Sequence, residues 1–152
     1  MTREEFIKIL EKEDYSYEID GDYLVIPDTK GMENVILDYI KTMPSLVRFN
    51  NSGYVNLVSL ETLPPGVEFN NKGDVNLDSL KTLPPDIEFN NGRYVYLDSL
   101  KSIPPGVVFN NRGNVDLELI IGGGYFNNWK GNINGIDPKR LLNVMIKKGM
   151  FI

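Results

Sequence analysis

Residues 69–88 read F-N-N-K-G-D-V-N-L-D-S-L-K-T-L-P-P-D-I-E, and this stretch decides the fold. The units on either side of it, 49–68 and 89–108, repeat the same pattern, and a further copy begins at Phe109. Self-similarity at a fixed period, here 20 residues, is typical of solenoids, in which each unit forms one coil that stacks on its neighbours. The chain is therefore predicted to be mainly β, a solenoid with 20-residue coils.

Each unit contains two segments with a period of two. Residues 75–77 and 87–89 alternate apolar with polar side chains, which is typical of short strands with one buried face. The prolines at 84–85 cannot lie inside a central strand or a helix, so they predict a corner. Residues 70–73, Asn-Asn-Lys-Gly, predict a second corner in which the asparagine binds backbone and the glycine adopts a positive φ. Stacked coils would pair like residues with like, about 4.8 Å apart.

This repeat carries a family resemblance. L-P-P-G-V at residues 63–67, followed by a strand and an asparagine, resembles the short leucine-rich repeats of bacterial proteins. The whole unit, from Phe49 to about Ile120, resembles more closely the F-N-N-x-G-x-V-x-L-x-S-L-x-x-L-P-P-G repeats of largely uncharacterised phage and bacterial proteins. Because Asn-Asn follows Phe directly, a leucine-rich-repeat-like horseshoe and a flatter, two-sheeted β-solenoid are both open. The resemblance implies a binding protein, for phage members one that interferes with a host system, and it supplies no catalytic residues.

The ends of the chain predict caps on a single domain. Thr2 and Glu5 form a capping box that begins a helix reaching about Lys12, and Asp-Gly at 20–21 predicts the turn of a hairpin. Residues 35–44 fit the repeat register as a degenerate first coil. The predicted organisation of domain 1–152 is an N-terminal helix-hairpin cap at 1–28, a repeat solenoid at 29–121, and a C-terminal cap at 122–152 that contains a helix.

The composition excludes several kinds of chemistry. The 152 residues include no cysteine and no histidine, which excludes Ser-His-Asp and Cys-His catalysis, disulfides and the usual zinc sites. We therefore predict no catalytic residues, no cofactor and no metal. The formal net charge of −5 argues against direct binding of nucleic acid through its phosphates.

The chain also lacks the patterns that direct proteins to membranes. Residues 1–5 are charged and no apolar segment follows them, so a secretory signal is not expected. No apolar run approaches the roughly 20 residues that span a bilayer. We predict a cytoplasmic protein, located in the host cytoplasm if it is phage-encoded, with no membrane partner.

The candidate site consists of the side chains that alternate with the buried valines and leucines and therefore face outward. Its eight residues are Tyr54, Asp74, Asp78, Tyr94, Tyr96, Asp98, Asp116 and Glu118. The outward positions hold five carboxylates and no lysine or arginine, and five is also the net negative charge of the chain. Like charges that stack in one column destabilise a sheet, so this arrangement calls for a role. We predict a non-catalytic protein-binding module whose tyrosines anchor a partner with a basic surface.

Other interpretations of this face stay open. It could be a solvated surface with no partner, since that is the usual role of a charge run. It could mimic nucleic acid and block a DNA- or RNA-binding groove of a host complex, although its charge density of about one per 3 Å is half that of duplex DNA. A hydrolase built on Asp78 and Asp98 would need them about 5 Å apart in a concave pocket. Self-association through the solenoid ends is a further alternative.

Overall fold

The structure is a computed structural model that describes residues 1–117, together with the backbone of 119–121 and 124–126. Two predictions lie outside the described residues: the outward position of Glu118 and the helix of the C-terminal cap. The described part is mainly β, with two parallel sheets built from coils of 20 residues.

The N-terminal cap begins with helix α1, Arg3–Lys12. The predicted capping box is confirmed, because Thr2 accepts a hydrogen bond from the Glu5 N–H and Glu5 accepts one from the Thr2 N–H. Phe6 and Leu10 are fully buried and cover the first coil of the solenoid. None of the described helical segments is long and apolar enough to cross a membrane.

The predicted hairpin follows the helix, with its turn shifted by one residue. Strand β1, Glu18–Asp20, pairs antiparallel with strand β2, Tyr23–Ile26, and Asp20 lies opposite Tyr23. The turn residues are therefore Gly21 and Asp22, not Asp20 and Gly21 as predicted. Gly21 has a φ of +59° at the first of these positions, as a type II′ turn requires.

The solenoid consists of two parallel sheets, so the two-sheeted alternative is the one observed. The phenylalanine sheet extends the hairpin with strands β4, β6, β8 and β10, which are Val47–Phe49, Glu68–Phe69, Glu88–Phe89 and Val108–Phe109. The valine–leucine sheet contains strands β3, β5, β7, β9 and β11, which are Val35–Ile36, Val55–Asn56, Val75–Asn76, Val95–Leu97 and Val115–Leu117. Beyond them, strands β12, Leu119–Ile121, and β13, Gly124–Phe126, form an antiparallel pair.

The register is one coil, so identical residues lie side by side on neighbouring coils of the same sheet. Val55 pairs with Val75, and the degenerate first coil joins the sheet because Val35 pairs with Val55. On the opposite sheet the rings of Phe49, Phe69, Phe89 and Phe109 stack in one column, with centroids 5.4, 5.5 and 5.3 Å apart. The valine and leucine columns are buried against this stack, which makes one continuous apolar core.

The second asparagine of each Asn-Asn pair forms a buried ladder at one corner. The Asn71 Nδ2 group donates to the backbone carbonyl oxygens of Gly53, Gly73 and Asp74, at 3.1–3.3 Å. Three further asparagines repeat this arrangement, namely Asn51, Asn91 and Asn111. Each ladder asparagine therefore ties its own turn to the preceding coil, whereas the first asparagine of each pair is exposed.

The glycine of this corner has a different role from the predicted one. Gly73 does not have a positive φ; a methyl group on its Cα would lie 2.6 Å from the carbonyl carbon of Gly53 on the preceding coil. Close approach of two backbones, not backbone conformation, therefore requires glycine here. Positive φ occurs instead after the proline corner, at Gly66 and in the equivalent place at Asp86.

The open edge of the valine–leucine sheet is blocked by one side chain. Strand β3 is the edge strand, and the hydroxyl of Tyr15 accepts a hydrogen bond from the Ile36 N–H at 2.8 Å. The same hydroxyl also lies 3.4 Å from the Ile36 carbonyl oxygen, to which it donates. The two backbone groups of Ile36 that face away from the next coil are thus occupied, which blunts an edge that another strand could pair with.

Candidate docking face

The outward side of the valine–leucine sheet, with the turn that follows it, forms three rows of side chains that we call the docking face. The first row contains Asn34, Tyr54, Asp74, Tyr94 and Asn114; the second contains Ile36, Asn56, Asn76, Tyr96 and Asp116; the third contains Asp38, Val58, Asp78 and Asp98. The predicted site residues within the described range therefore lie on one side of the molecule. The third row lies in the turn after the strand, not on the strand itself.

The predicted residues differ in how far they reach solvent. Tyr54 and Tyr94 are each 38% exposed, and Asp98 is exposed as well. Three more, Asp74, Asp78 and Tyr96, are half-buried. Two tyrosines and one aspartate are thus the most accessible of the predicted groups.

Asp116 differs from the other predicted residues in its burial. This carboxylate belongs to the outward row but is only 8% exposed, so it offers little surface to a partner. It lies on β11 opposite Tyr96, and its charge is close enough to Tyr96 to raise the pKa of the phenol. Alternation in the sequence places Asp116 on the outward side correctly, but it does not show what covers it there.

Asp78 and Asp98 are linked through the backbone. In the two preceding coils the Oδ1 atoms of Asn56 and Asn76 accept the N–H groups of Val58 and Asp78, each at 3.1 Å. Tyr96 replaces that asparagine in the next coil and has no acceptor so close to the backbone. The Asp98 N–H instead donates to Asp78 Oδ1 of the preceding coil, at 3.1 Å. The column of like charges is thus partly offset by a charge-assisted hydrogen bond.

The electrostatics of this pair follow from burial. Loss of solvation raises the pKa of Asp78 above its ordinary value, and the negative charge of Asp98 raises it further. The hydrogen bond from the Asp98 N–H lowers the same pKa but does not outweigh burial. A cation brought to this place by a partner would stabilise the ionised form of Asp78.

Polar side chains of the first row also accept backbone N–H groups from the next coil. The Tyr54 N–H donates to Asn34 Oδ1 at 3.1 Å, and the Tyr94 N–H donates to Asp74 Oδ1 at 3.0 Å. Both acceptors lie one coil before the tyrosine they hold. The backbone of each exposed tyrosine is therefore fixed to the preceding coil, which orders the tyrosine backbone without using its ring or hydroxyl.

The sequence predicts no positive charge at the outward positions, but the structure places one arginine close to them. Arg93 projects from the corner beside the first row and its Nε atom lies 3.8 Å from Asp74 Oδ1. The arginine side chain is 67% exposed, so this ion pair is weak. Among the described residues Asp78 and Asp98 have no ion pair, and Lys81 and Lys101, one corner further on, do not reach them.

The two tyrosines of the fourth coil contact each other. The rings of Tyr94 and Tyr96 meet edge to face with centroids 6.2 Å apart. Burial raises the pKa of Tyr96, and the nearby charge of Asp74 adds to the effect, so the hydroxyl stays protonated at neutral pH. The two rings therefore form a packed aromatic pair beside Asp78 and Asp98.

Sequence reasoning missed the contribution of the first coil. Ile36 is 40% exposed and Tyr39 is 50% exposed, and Asp38 is exposed between them. The signal was available, because these residues precede Asn56, Val58 and Ser59 by one period of 20. The buried residues of this coil establish its register, and the same register fixes its outward positions.

The opposite face contains a cluster of paired charges around one arginine. Arg48 donates to Glu68 at 2.5 Å and to Asp20 at 3.0 Å, and its guanidinium lies 4.2 Å from the ring centroid of Tyr23. The hydrogen bond from Arg48 lowers the pKa of Glu68 below its ordinary value. On the outer side of the phenylalanine sheet Arg48 thus compensates Glu68 and Asp20, whereas Glu88 on the same side is exposed.

Two of the clefts on the described surface can be compared with the aspartate pair, and neither of these two contains Asp78 or Asp98. A cleft of about 360 Å³ lies beside the phenylalanine sheet, between the proline corners and Tyr23. A second cleft, of about 440 Å³, lies at the N-terminal end of the docking face and is lined by Tyr15, Gly31, Met32, Glu33, Asn34 and Ile36. Asp98 is exposed and Asp78 is half-buried, an arrangement suited to contact with a large partner rather than to enclosure of a small substrate.

Comparisons of the chain with protein-family models, with curated proteins and with solved structures gave no match. The resemblance to phage and bacterial repeat proteins therefore stays a prediction. Within the described residues no group of three or more acidic side chains is arranged to hold a metal ion.

Proposed function

We propose that this protein is a non-catalytic binding module whose docking face contacts a basic surface on a partner protein. The observation that carries the proposal is the contrast between the two faces. Arg48 pairs with Glu68 and Asp20 on the opposite face, whereas Asp78 and Asp98 have no ion pair among the described residues. Tyrosine is enriched among the residues that dominate binding energy at interfaces, and uncompensated carboxylates would attract a basic partner.

The solenoid supports this role mechanically. The docking-face residues rest on strands whose register repeats without a shift, and the column of stacked phenylalanines lies beneath them. Tyr94 is held by Asp74 through its N–H, so its backbone is ordered before a partner arrives. Little backbone ordering would accompany binding, which favours affinity.

The resemblance to phage repeat proteins extends the proposal to one class of partner. A basic host complex that binds nucleic acid would present the positive surface that this face complements. We propose a host defence complex as such a partner. Mimicry of nucleic acid is less well supported, because Asp116 is buried and Asp74 has a cation beside it.

Affinity capture with matched charge variants tests the proposal. The immobilised protein is incubated with an extract of its native cells, and captured proteins are identified by mass spectrometry. In the test variant Asp74, Asp78 and Asp98 are changed to asparagine, which keeps an Oδ1 acceptor for the Tyr94 and Asp98 N–H groups. In the control variant the same number of charges is removed elsewhere, at Glu18, Asp22 and Glu88, all of which are exposed.

The expected result is one basic protein that the wild type and the control variant capture and the test variant does not. Added salt should weaken that capture, because the contact is electrostatic. Equal capture by the test variant would exclude this face as the binding surface.

A further inference from the structure

The docking face has two chemically different ends. On the first two coils Ile36 and Tyr54 are 40% and 38% exposed, and Tyr39, at the margin of the face, is 50% exposed. Asp38 is exposed between Ile36 and Tyr39. The third and fourth coils contribute the aspartates Asp78 and Asp98. Ile36 is the aliphatic member of a row in which the following coils place Asn56, Asn76, Tyr96 and Asp116.

The apolar end also has a cavity beside it. The cleft of about 440 Å³ opens next to Ile36 and is flanked by Met32, which is 37% exposed. The phenol of Tyr15 forms its inner wall and is held by its hydrogen bonds to the Ile36 backbone. A side chain the size of leucine or methionine would enter this cleft and bury apolar surface on Met32 and Ile36.

We infer that the partner is a linear segment in which a large apolar side chain, seated in the cleft beside Ile36, lies three to five residues from two basic side chains over Asp78 and Asp98. The inference rests on the proposed function and adds the chemistry and spacing of the partner. Charge complementarity selects this occupant, since an apolar anchor alone would leave Asp78 and Asp98 uncompensated.

The spacing comes from the geometry of the coils. Ile36 lies on the first coil, whereas Asp78 and Asp98 lie on the third and fourth, two and three coils away. With about 4.8 Å per coil, the separation along the solenoid is roughly 10–15 Å. An extended chain advances about 3.3 Å per residue, so three to five residues cover it.

The experiment uses peptides as defined probes. A random library of 12-residue peptides is displayed on phage and selected on the immobilised full-length protein. The affinity of the most enriched peptide is then measured by fluorescence anisotropy for the wild type and three variants. Ile36→Thr alters the apolar end and D78N/D98N alters the acidic end. The matched control is Ile19→Thr, which changes an isoleucine that is 59% exposed on the hairpin, away from this face.

The expected peptides carry a large apolar residue three to five positions from a pair of lysines or arginines. Ile36→Thr and D78N/D98N should each weaken binding by about tenfold or more, and Ile19→Thr should change it less than about twofold. Unchanged thermal unfolding of each variant shows that the fold is intact.

Three results overturn the inference. If only D78N/D98N weakens binding, the face is a purely acidic site, and the proposed function stands without the apolar anchor. If neither variant weakens binding, the peptide binds elsewhere and the docking face itself is in question. Failure of the library to yield any enriched peptide would show that no linear segment fits, while the capture experiment still tests a folded partner.

Discussion

The Oδ1 atom of Asp78 accepts the backbone N–H of Asp98 at 3.1 Å, across one step of the solenoid. The asparagine that serves this N–H in the two preceding coils has become Tyr96. One substitution therefore changes two features of the docking face at once. It adds an aromatic ring and it draws a carboxylate into a half-buried position where its ionisation is opposed.

The first prediction concerns Asp78. The pKa of Asp78 is raised in the folded state, so protonation favours folding. The resulting contribution to stability is complete below the pKa of the unfolded state and is lost as the pH rises through the pKa of the folded state. Asp78→Asn should therefore raise the melting temperature at pH 7, and its advantage over the wild type should shrink as the pH falls. Thermal unfolding between pH 7 and pH 4 measures this.

The control for that experiment is Asp22→Asn, which removes a carboxylate from the exposed hairpin turn. In this variant the melting temperature should change between pH 7 and pH 4 by the same amount as in the wild type. A lower melting temperature for Asp78→Asn at pH 7 would mean that the charge stabilises the column, contrary to our interpretation.

The second prediction concerns Glu68, whose contribution to stability depends on pH in the opposite direction. The hydrogen bond from Arg48 lowers the pKa of Glu68, so its contribution is present above the unfolded pKa and is lost as the pH falls through the folded pKa. Glu68→Gln should lower the free energy of unfolding at pH 7 by about 1 kcal/mol, because the pair is only partly buried. The difference should disappear in acid.

Urea unfolding at pH 7 and in acid measures that change. Glu88→Gln is the matched control, since Glu88 occupies the same phenylalanine-sheet row two coils after Arg48 and is exposed. An equal effect of the two substitutions would show that general charge, not the Arg48 contact, is responsible.

The third prediction separates the two asparagines of one corner. Asn51 is 1% exposed and its Nδ2 donates to three backbone carbonyl oxygens, whereas Asn50 is exposed. Asn51→Asp would place a carboxylate oxygen against those carbonyls and should cost about 3 kcal/mol or more of unfolding free energy. Asn50→Asp, next to it in the chain, should cost less than about 0.5 kcal/mol. Comparable losses in chemical unfolding would contradict the ladder.

The fourth prediction concerns the edge of the valine–leucine sheet. Tyr15→Phe removes the hydroxyl that binds both backbone groups of Ile36 and leaves the edge of β3 unpaired. We expect a loss of about 1–2 kcal/mol in stability and self-association that increases with concentration, measured by sedimentation velocity. Tyr17→Phe is the control, because that hydroxyl binds the Glu11 side chain instead. A Tyr15→Phe variant that stays monomeric at every concentration would show that the helix alone protects this end.

The fold was predictable because the period of 20 makes one coil informative about all the others. The register, the buried valine and leucine columns and the capping box are all confirmed. The choice between a horseshoe and two sheets was open, because it depends on how far the chain turns at each corner. That angle depends on contacts between coils, such as the close approach at Gly73, and a single unit does not show it.

The candidate site was predictable in position but not in detail. Alternation places Tyr54, Asp78 and Asp98 on one side, as the structure has them. It says nothing about burial, so Asp116 was expected to be accessible. It also treats corners as separate from strands, which is why the approach of Arg93 to Asp74 was missed.

Because the phenylalanines stack with a period of one coil, the solenoid can become longer or shorter only by complete coils. Each ring meets an equivalent ring above and below at nearly the same distance, so excising residues 69–88 would let Phe49 contact Phe89 as it now contacts Phe69. Removal of 69–87 or 69–89 would instead put Glu88 or Asn90 where a ring belongs. Proteins of this kind would therefore evolve longer or shorter docking faces by duplication or loss of complete units, with the two ends unchanged.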